Sequence, residues 1–227
     1  MSDALVGLHG FDVEIRDAPE LILTHRAVSS SNATTYTFSN VNIGDPAPDR
    51  LIVVLAYITE ADASAGDIPT SVSIDGVNGT IHVTGVGTGS NSTSVSVVSR
   101  LVTAGTSIAI VITAPDAQVR AAIAVYTLRK YTSATPTATQ GAQVGASTNI
   151  SVTLDVPPNR IGIAGCNSNN NSNPATWTNA NKEDDTLIES PSAFMSSAVL
   201  KPGTGNVIRT CTWATSGELA IAGAVWG

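Results

Sequence analysis

Three histidines, two cysteines and three tryptophans carry most of the chemistry open to this 227-residue chain. Hydrolysis by a Ser-His-Asp arrangement needs a nucleophile, a base and an orienting acid brought together. His9, His25 and His82 follow no G-x-S-x-G elbow, and each is read as a surface or structural residue. Metal binding needs clustered ligands, yet no H-x-H, H-E-x-x-H or C-x-x-C occurs. Glu183, Asp184, Asp185 and Glu189 could offer oxygens to Ca²⁺, but they lack EF-hand spacing and are expected to form a solvated acidic loop. Glycosidases oppose two carboxylates across a cleft, and no such pair stands out. Neither a P-loop nor a dinucleotide-binding glycine pattern is present. Trp213 and Trp226 lie in strand-like segments and read as core or interface. Trp177, beside an Asn-rich stretch, is the candidate glycan or interface contact, because an exposed indole can stack on a sugar. No residue is assigned to catalysis, a cofactor or a metal.

Composition narrows the classes. Charged residues are 13% and aromatics 4%, and Ser plus Thr make up about a fifth of the chain. Such a chain suits β-structure with many turns better than helix, which draws on Glu, Lys, Leu and Arg. The net charge of −7 opposes non-specific nucleic-acid binding, which needs a basic stripe. The longest apolar run, Leu51 to Ile58, is too short for a membrane-spanning helix. MSDALVGLHG has no basic region before a long apolar run, so synthesis in the cytoplasm without a signal peptide is expected. Cys166 and Cys211 are then expected to be reduced and buried. The N-x-S/T sequons, Asn32 among them, reflect composition rather than glycosylation.

The elements follow from period-two alternation. The clearest unit is SVSIDGVNGTIHV, Ser71 to Val83. Val72 and Ile74 alternate with serines on one side. Val77, Ile81 and Val83 alternate with Asn78, Thr80 and His82 on the other, which puts His82 on a polar face. Asp75-Gly76 suits a two-residue type I′ turn, and Asn78-Gly79 is an alternative turn. DRLIVVLAYIT, Asp49 to Thr59, reads as a central strand covered on both faces. Ala121 to Tyr131 is helical by propensity, but its β-branched alternation favours strand. Further strands are expected at Leu21–Val28, Thr35–Phe38, Thr93–Val102, Ser107–Thr113, Asn149–Val156, Arg160–Cys166, Ala193–Lys201, Gly205–Ala214 and Glu218–Trp226. Loops are expected at 60–70, Gly85–Ser92, Thr132–Ala146, Asn167–Asn173 and through the region of Trp177 and the acidic residues.

About a dozen strands, no substantial helix and no linker between two cores predict one antiparallel β-sandwich, jelly-roll or Ig-like, over residues 21–227. Residues 1–20 differ. Phe11, Val13 and Ile15 alternate with Asp12, Glu14 and Arg16 before Pro19 breaks the pattern. They are either a first strand of the main sheet or a candidate assembly arm that adds a strand to a neighbouring subunit.

The order of segments from about Thr34 to Trp226 resembles a group of β-sandwich virion structural proteins of tailed phages and prophages. The pieces are TTYTFSNVNIG, DRLIVVLAY, SVSIDGVNGTIHV, AGTSIAIVITA leading into IAVYTL, SATPTAT, ISVTLDVPPNRIGIAGC, TWTNANKEDD and AIAGAVW. Each piece is short and only their order carries weight. In the resembling proteins the chain turns where Asp75-Gly76 stands here. The resemblance supplies no catalytic residue. It implies a structural role in capsid decoration, head fibre, neck or tail. It further implies homo-oligomers, trimers among them, built with other virion proteins. The alternative expectation is a glycan-binding module that recognises a host surface.

Overall fold

The computed structural model describes residues 18–60, 68–87, 92–170, 173–189, 193–203 and 205–227. Phe11, Val13 and Ile15, and with them the arm, lie outside the described residues. Fifteen strands and no helix are found among the described residues, in three antiparallel sheets. The all-β, sandwich-like class is therefore as expected.

The central sheet has the order β1-β9-β3-β7-β6. Its strands are β1 (Glu20–Ser29), β3 (Leu51–Thr59), β6 (Thr80–Gly87), β7 (Thr93–Leu101) and β9 (Arg120–Arg129). Every residue of β3 is buried, because the sheet is covered on both faces. On one face lies a sheet of β2 (Ala33–Asn42), β8 (Ser107–Gln118), β4 (Ser71–Ile74) and β5 (Val77–Asn78). Ile52, Val54, Ile58 and Val125 pack there against Tyr36, Phe38, Ile110 and Ile112. The other face carries Leu51, Val53, Leu55, Tyr57, Val97 and Tyr126. They meet Ile163, Met195, Ala222 and Trp226 of a third sheet.

That third sheet comprises β10 (Ala138–Asp155), β11 (Ile161–Ser168), β12 (Thr176–Thr178), β13 (Ala180–Glu189), β14 (Ala193–Leu200) and β15 (Asn206–Trp226). It runs β10-β15-β11-β14-β13, with β12 on the early part of β15. The long β10–β15 ladder slips register around Ser147, opposite Gly217. Residues 219–226 of β15 pair with β11, and residues 210–212 pair with β12. A further core of Ile150, Val152, Leu154, Phe194, Cys211 and Trp213 belongs to this sheet alone. The expected single sandwich is thus three stacked sheets, two built from residues 20–129 and one from residues 138–226.

Several loop expectations are corrected. Most of Thr132–Ala146 is strand, since β10 begins at Ala138. Its small polar residues hide the alternation until they pair with β15. Gly85, Val86 and Gly87 extend β6 rather than opening a loop. The two last expected strands are one, β15, with Ser216-Gly217 at the register slip rather than in a turn. Asn167 and Ser168 are buried in β11 rather than exposed in a loop. Asn167 Nδ2 donates to the carbonyls of Ile58 (3.1 Å) and Ser94 (3.2 Å), tying the third sheet to the central one.

The Asp75-Gly76 turn forms as expected. Both residues have positive φ (55° and 73°), and Ile74 faces Val77. The returning strand lasts only two residues before the chain leaves β4 and joins β7 as β6. Val77 is consequently 53% exposed, instead of sharing a buried face with Ile81 and Val83.

Candidate functional site

A pocket of about 230 Å³ opens where the chain crosses from β5 to β6. Asn78, Thr80 and His82 form one wall, Ser99, Arg100 and Leu101 of β7 a second, and Ala134 and Thr135 of the β9–β10 connection a third, over Leu51. His82 owes its place to a β-bulge. Ile81 faces Val98 and Val83 faces Val97, so His82 is the extra residue of β6. A bulge bends its strand and re-aims a side chain. His82 is therefore half-buried, not on the polar face that simple alternation predicts.

The imidazole has the partner that no sequence motif supplied. Its Nε2 lies 2.8 Å from Ser99 Oγ. Its ring meets Trp226 edge-on, with centroids 6.1 Å apart. Trp226, fully buried, also donates through Nε1 to the Ala134 carbonyl at 3.2 Å. One indole thus props two walls. Burial lowers the His82 pKa, which keeps the ring neutral at neutral pH. Arg100 Nη1 donates to the Ile74 carbonyl and lies 3.6 Å from Asp75 Oδ2.

His82 and Ser99 have the geometry of a base and a hydroxyl, but among the described residues no carboxylate lines the pocket to orient the imidazole. Nor do the described lining residues include the carboxylate pair that glycoside hydrolysis uses. What the walls offer is recognition: an amide, hydroxyls, a neutral imidazole and an apolar rim.

Trp177 lies in β12, not in an irregular loop. It is half-buried against the third core, and its Nε1 donates to Ser196 Oγ at 2.8 Å. Trp213 and Trp226 are core, as expected. The acidic stretch is strand β13 rather than a solvated loop. The Asp184 side chain is 1% exposed and pairs with Arg26 Nη1 at 2.5 Å, and Lys182 Nζ lies 2.5 Å from Asp185 Oδ2. Among the described residues no group of three or more His, Cys, Asp or Glu could hold a metal. Cys166 and Cys211 are free and buried, and Trp213 Nε1 donates to Cys166 Sγ at 3.4 Å. Burial pushes the Cys211 thiol well above its usual pKa, the condition of an inert cysteine.

Sequence reasoning missed Ser99, Arg100 and Leu101 as neighbours of His82. The only local signal was Gly79, which ends the short return of the hairpin before the chain crosses between sheets. Comparison with protein-family models and with curated protein sequences finds no match for this chain.

Proposed function

We propose that this chain is a non-enzymatic structural protein of a tailed-phage particle. It is made in the bacterial cytoplasm and assembles as a symmetric homo-oligomer with other virion proteins on the capsid or tail. The observation that carries the reading is the ordered run of segments from Thr34 to Trp226. TTYTFSNVNIG becomes β2 and DRLIVVLAY becomes β3. SVSIDGVNGTIHV supplies β4 to β6, and AIAGAVW closes β15. The resemblance is thus one of scaffold, concentrated in strands whose side chains fill the cores.

The edge of the central sheet supports assembly. Among the described residues β1 pairs only with β9, and it exposes Ile22 (56%) and Val28 (43%). Unprotected sheet edges accept further strands. The segment bearing Phe11, Val13 and Ile15 directly precedes β1 in the chain.

Light scattering coupled to size exclusion, on the full chain and on a form lacking residues 1–20, tests the assembly. The full chain is expected to be oligomeric and the shortened form to lose mass per particle. Complementation of particles lacking the protein tests incorporation. Two monomeric forms, neither of which enters particles, would overturn the proposal. Trp177 is not retained as the glycan contact, because its indole is half-buried against the third core instead of standing exposed for stacking.

A further inference from the structure

We infer that the pocket at the β6 bulge binds a single ring of a neutral saccharide, with His82, Asn78 and the Thr80 hydroxyl reading its hydroxyl groups and Leu101 covering its apolar face. The inference is independent of the particle reading, since a monomer outside any particle would bind the sugar equally well.

Size comes first. The pocket holds about 230 Å³. Sites for drug-sized ligands run from roughly 300 to 1,000 Å³. One ring with its substituents is the fitting occupant, with the remainder of a chain leaving through the open mouth.

Charge decides the class. Among the described residues no carboxylate lines the walls, and the only cation there, Arg100, already serves the Ile74 carbonyl and lies near Asp75. The imidazole is neutral, and the whole chain carries −7. A phosphate or nucleic acid would find little uncompensated positive charge. A metal ion would find one imidazole and no carboxylate.

Hydrogen bonding then favours hydroxyl groups, which donate and accept at once. Asn78 offers an amide with both functions, and Thr80 and Thr135 offer hydroxyls. Ser99 either donates to His82 Nε2 or accepts from it. The two tautomers leave Nδ1 as donor or as acceptor, and Nδ1 has no hydrogen-bond partner among the described residues. The imidazole can therefore match either sense of a sugar hydroxyl.

The rim supplies the other half of carbohydrate recognition. Leu101 is 47% exposed beside the polar walls, a place where burying the C–H face of a sugar ring removes apolar surface from water. Its neighbours Ser99 and Arg100 are fixed in β7, and Trp226 holds His82 and Ala134 from beneath. The walls thus rest on strands and a buried indole, as a pre-formed site requires.

Saturation-transfer NMR of the full chain against glucose, galactose, mannose, rhamnose and N-acetylglucosamine, followed by a glycan array, tests the inference. Transfer to at least one of these sugars is expected. His82→Gln and Leu101→Glu should each weaken binding about tenfold, the worth of one hydrogen bond or of a covered apolar face. Trp177→Phe should leave it unchanged. Leu101→Glu alters an exposed side chain, so it remains informative if His82→Gln fails to fold. Absence of binding to every sugar, or binding that neither pocket variant weakens, would overturn the site. Inorganic phosphate that binds there in preference to sugars would overturn the ligand class.

Discussion

The Arg26–Asp184 pair shows how a chain poor in charge handles a carboxylate that it buries. Asp184 is on β13 and Arg26 on β1, so the pair joins edge strands of two sheets. Burial pushes the Asp184 pKa up, while the hydrogen bond from Thr186 Oγ1 (3.0 Å) and the Arg26 guanidinium pull it back. The net direction is upward. Between its unfolded and folded pKa values, such a carboxyl binds more protons in the folded state than in the unfolded one. Its ionisation therefore costs stability as pH rises through that window, and the cost persists at neutral pH. Arg26→Ala removes an offsetting partner and raises the folded pKa further. The variant should lose roughly 1.5 kcal/mol at pH 7, the low end for a hydrogen bond to a charged group, because Arg26 stays 56% exposed and solvent screens it. Urea unfolding at several pH values checks this. The deficit should shrink as pH falls through the folded pKa, and a deficit that is constant into acid would contradict the account. Other buried polar residues need no ion pair. Arg50 donates to the carbonyls of Val102 (2.8 Å), Gly44 (2.7 Å) and Ala104 (2.6 Å), closing two loops with one guanidinium.

Among the elements, β6 is the one that joins the sheets most closely, and a glycine makes this possible. A Cβ on Gly85 would lie 2.0 Å from the Ile221 carbonyl oxygen and 2.9 Å from that of Ala142. β6 thus meets β10 and β15 backbone to backbone. Gly85→Ala should cost at least about 3 kcal/mol, beyond ordinary overpacking, because rigid backbone rather than a side chain must move. Gly76→Ala, strained only by its φ of 73° with open space around it, should cost about 1–2 kcal/mol. Thermal unfolding of the two variants gives the comparison, and equal losses would refute the backbone contact. The strands that alternate buried valine or isoleucine with less buried residues, such as β4 and β8, were legible because one face is buried and the period is two. β3 was legible as an unbroken apolar run. The first half of β10 was not, although its second half was expected from Asn149 onward, because GAQVGASTN buries so little per residue that its strand character comes from β15. The acidic strand β13 was hidden likewise, since Asp184 depends on an arginine more than 150 positions away. The pocket was least legible of all. It requires a bulge, and a bulge is one unpaired residue that leaves no compositional mark.

The order in which the chain builds its sheets governs how the molecule should come apart. Residues 20–129 complete two sheets and their shared core, and residues 138–226 complete the third sheet with a core of its own. Taken alone, this partition suggests two units that unfold separately. The cluster between them argues otherwise. Leu51, Val53, Leu55, Tyr57, Val97, Tyr126 and Leu128 are all fully buried or nearly so, and much of their cover is Ile163, Met195, Ala222 and Trp226 from the later half. Tyr57 donates to the Ser196 carbonyl at 3.2 Å, and Tyr126 lies 2.6 Å from Ser197 Oγ. Separating the halves would expose these side chains and strand buried polar groups, at a cost that neither half recovers alone. Unfolding should therefore be a single cooperative transition. The three tryptophans make this measurable, since Trp177, Trp213 and Trp226 all lie in the later half. Fluorescence reports the third sheet, whereas far-ultraviolet circular dichroism reports all three. The two denaturation curves should coincide. Leu55→Ala, made in the earlier half, should lower both midpoints together by a loss of about 2–5 kcal/mol, the usual cost of emptying a buried leucine site. A fluorescence transition that stays in place while the dichroism moves would show two independent units and leave the middle core a mere contact.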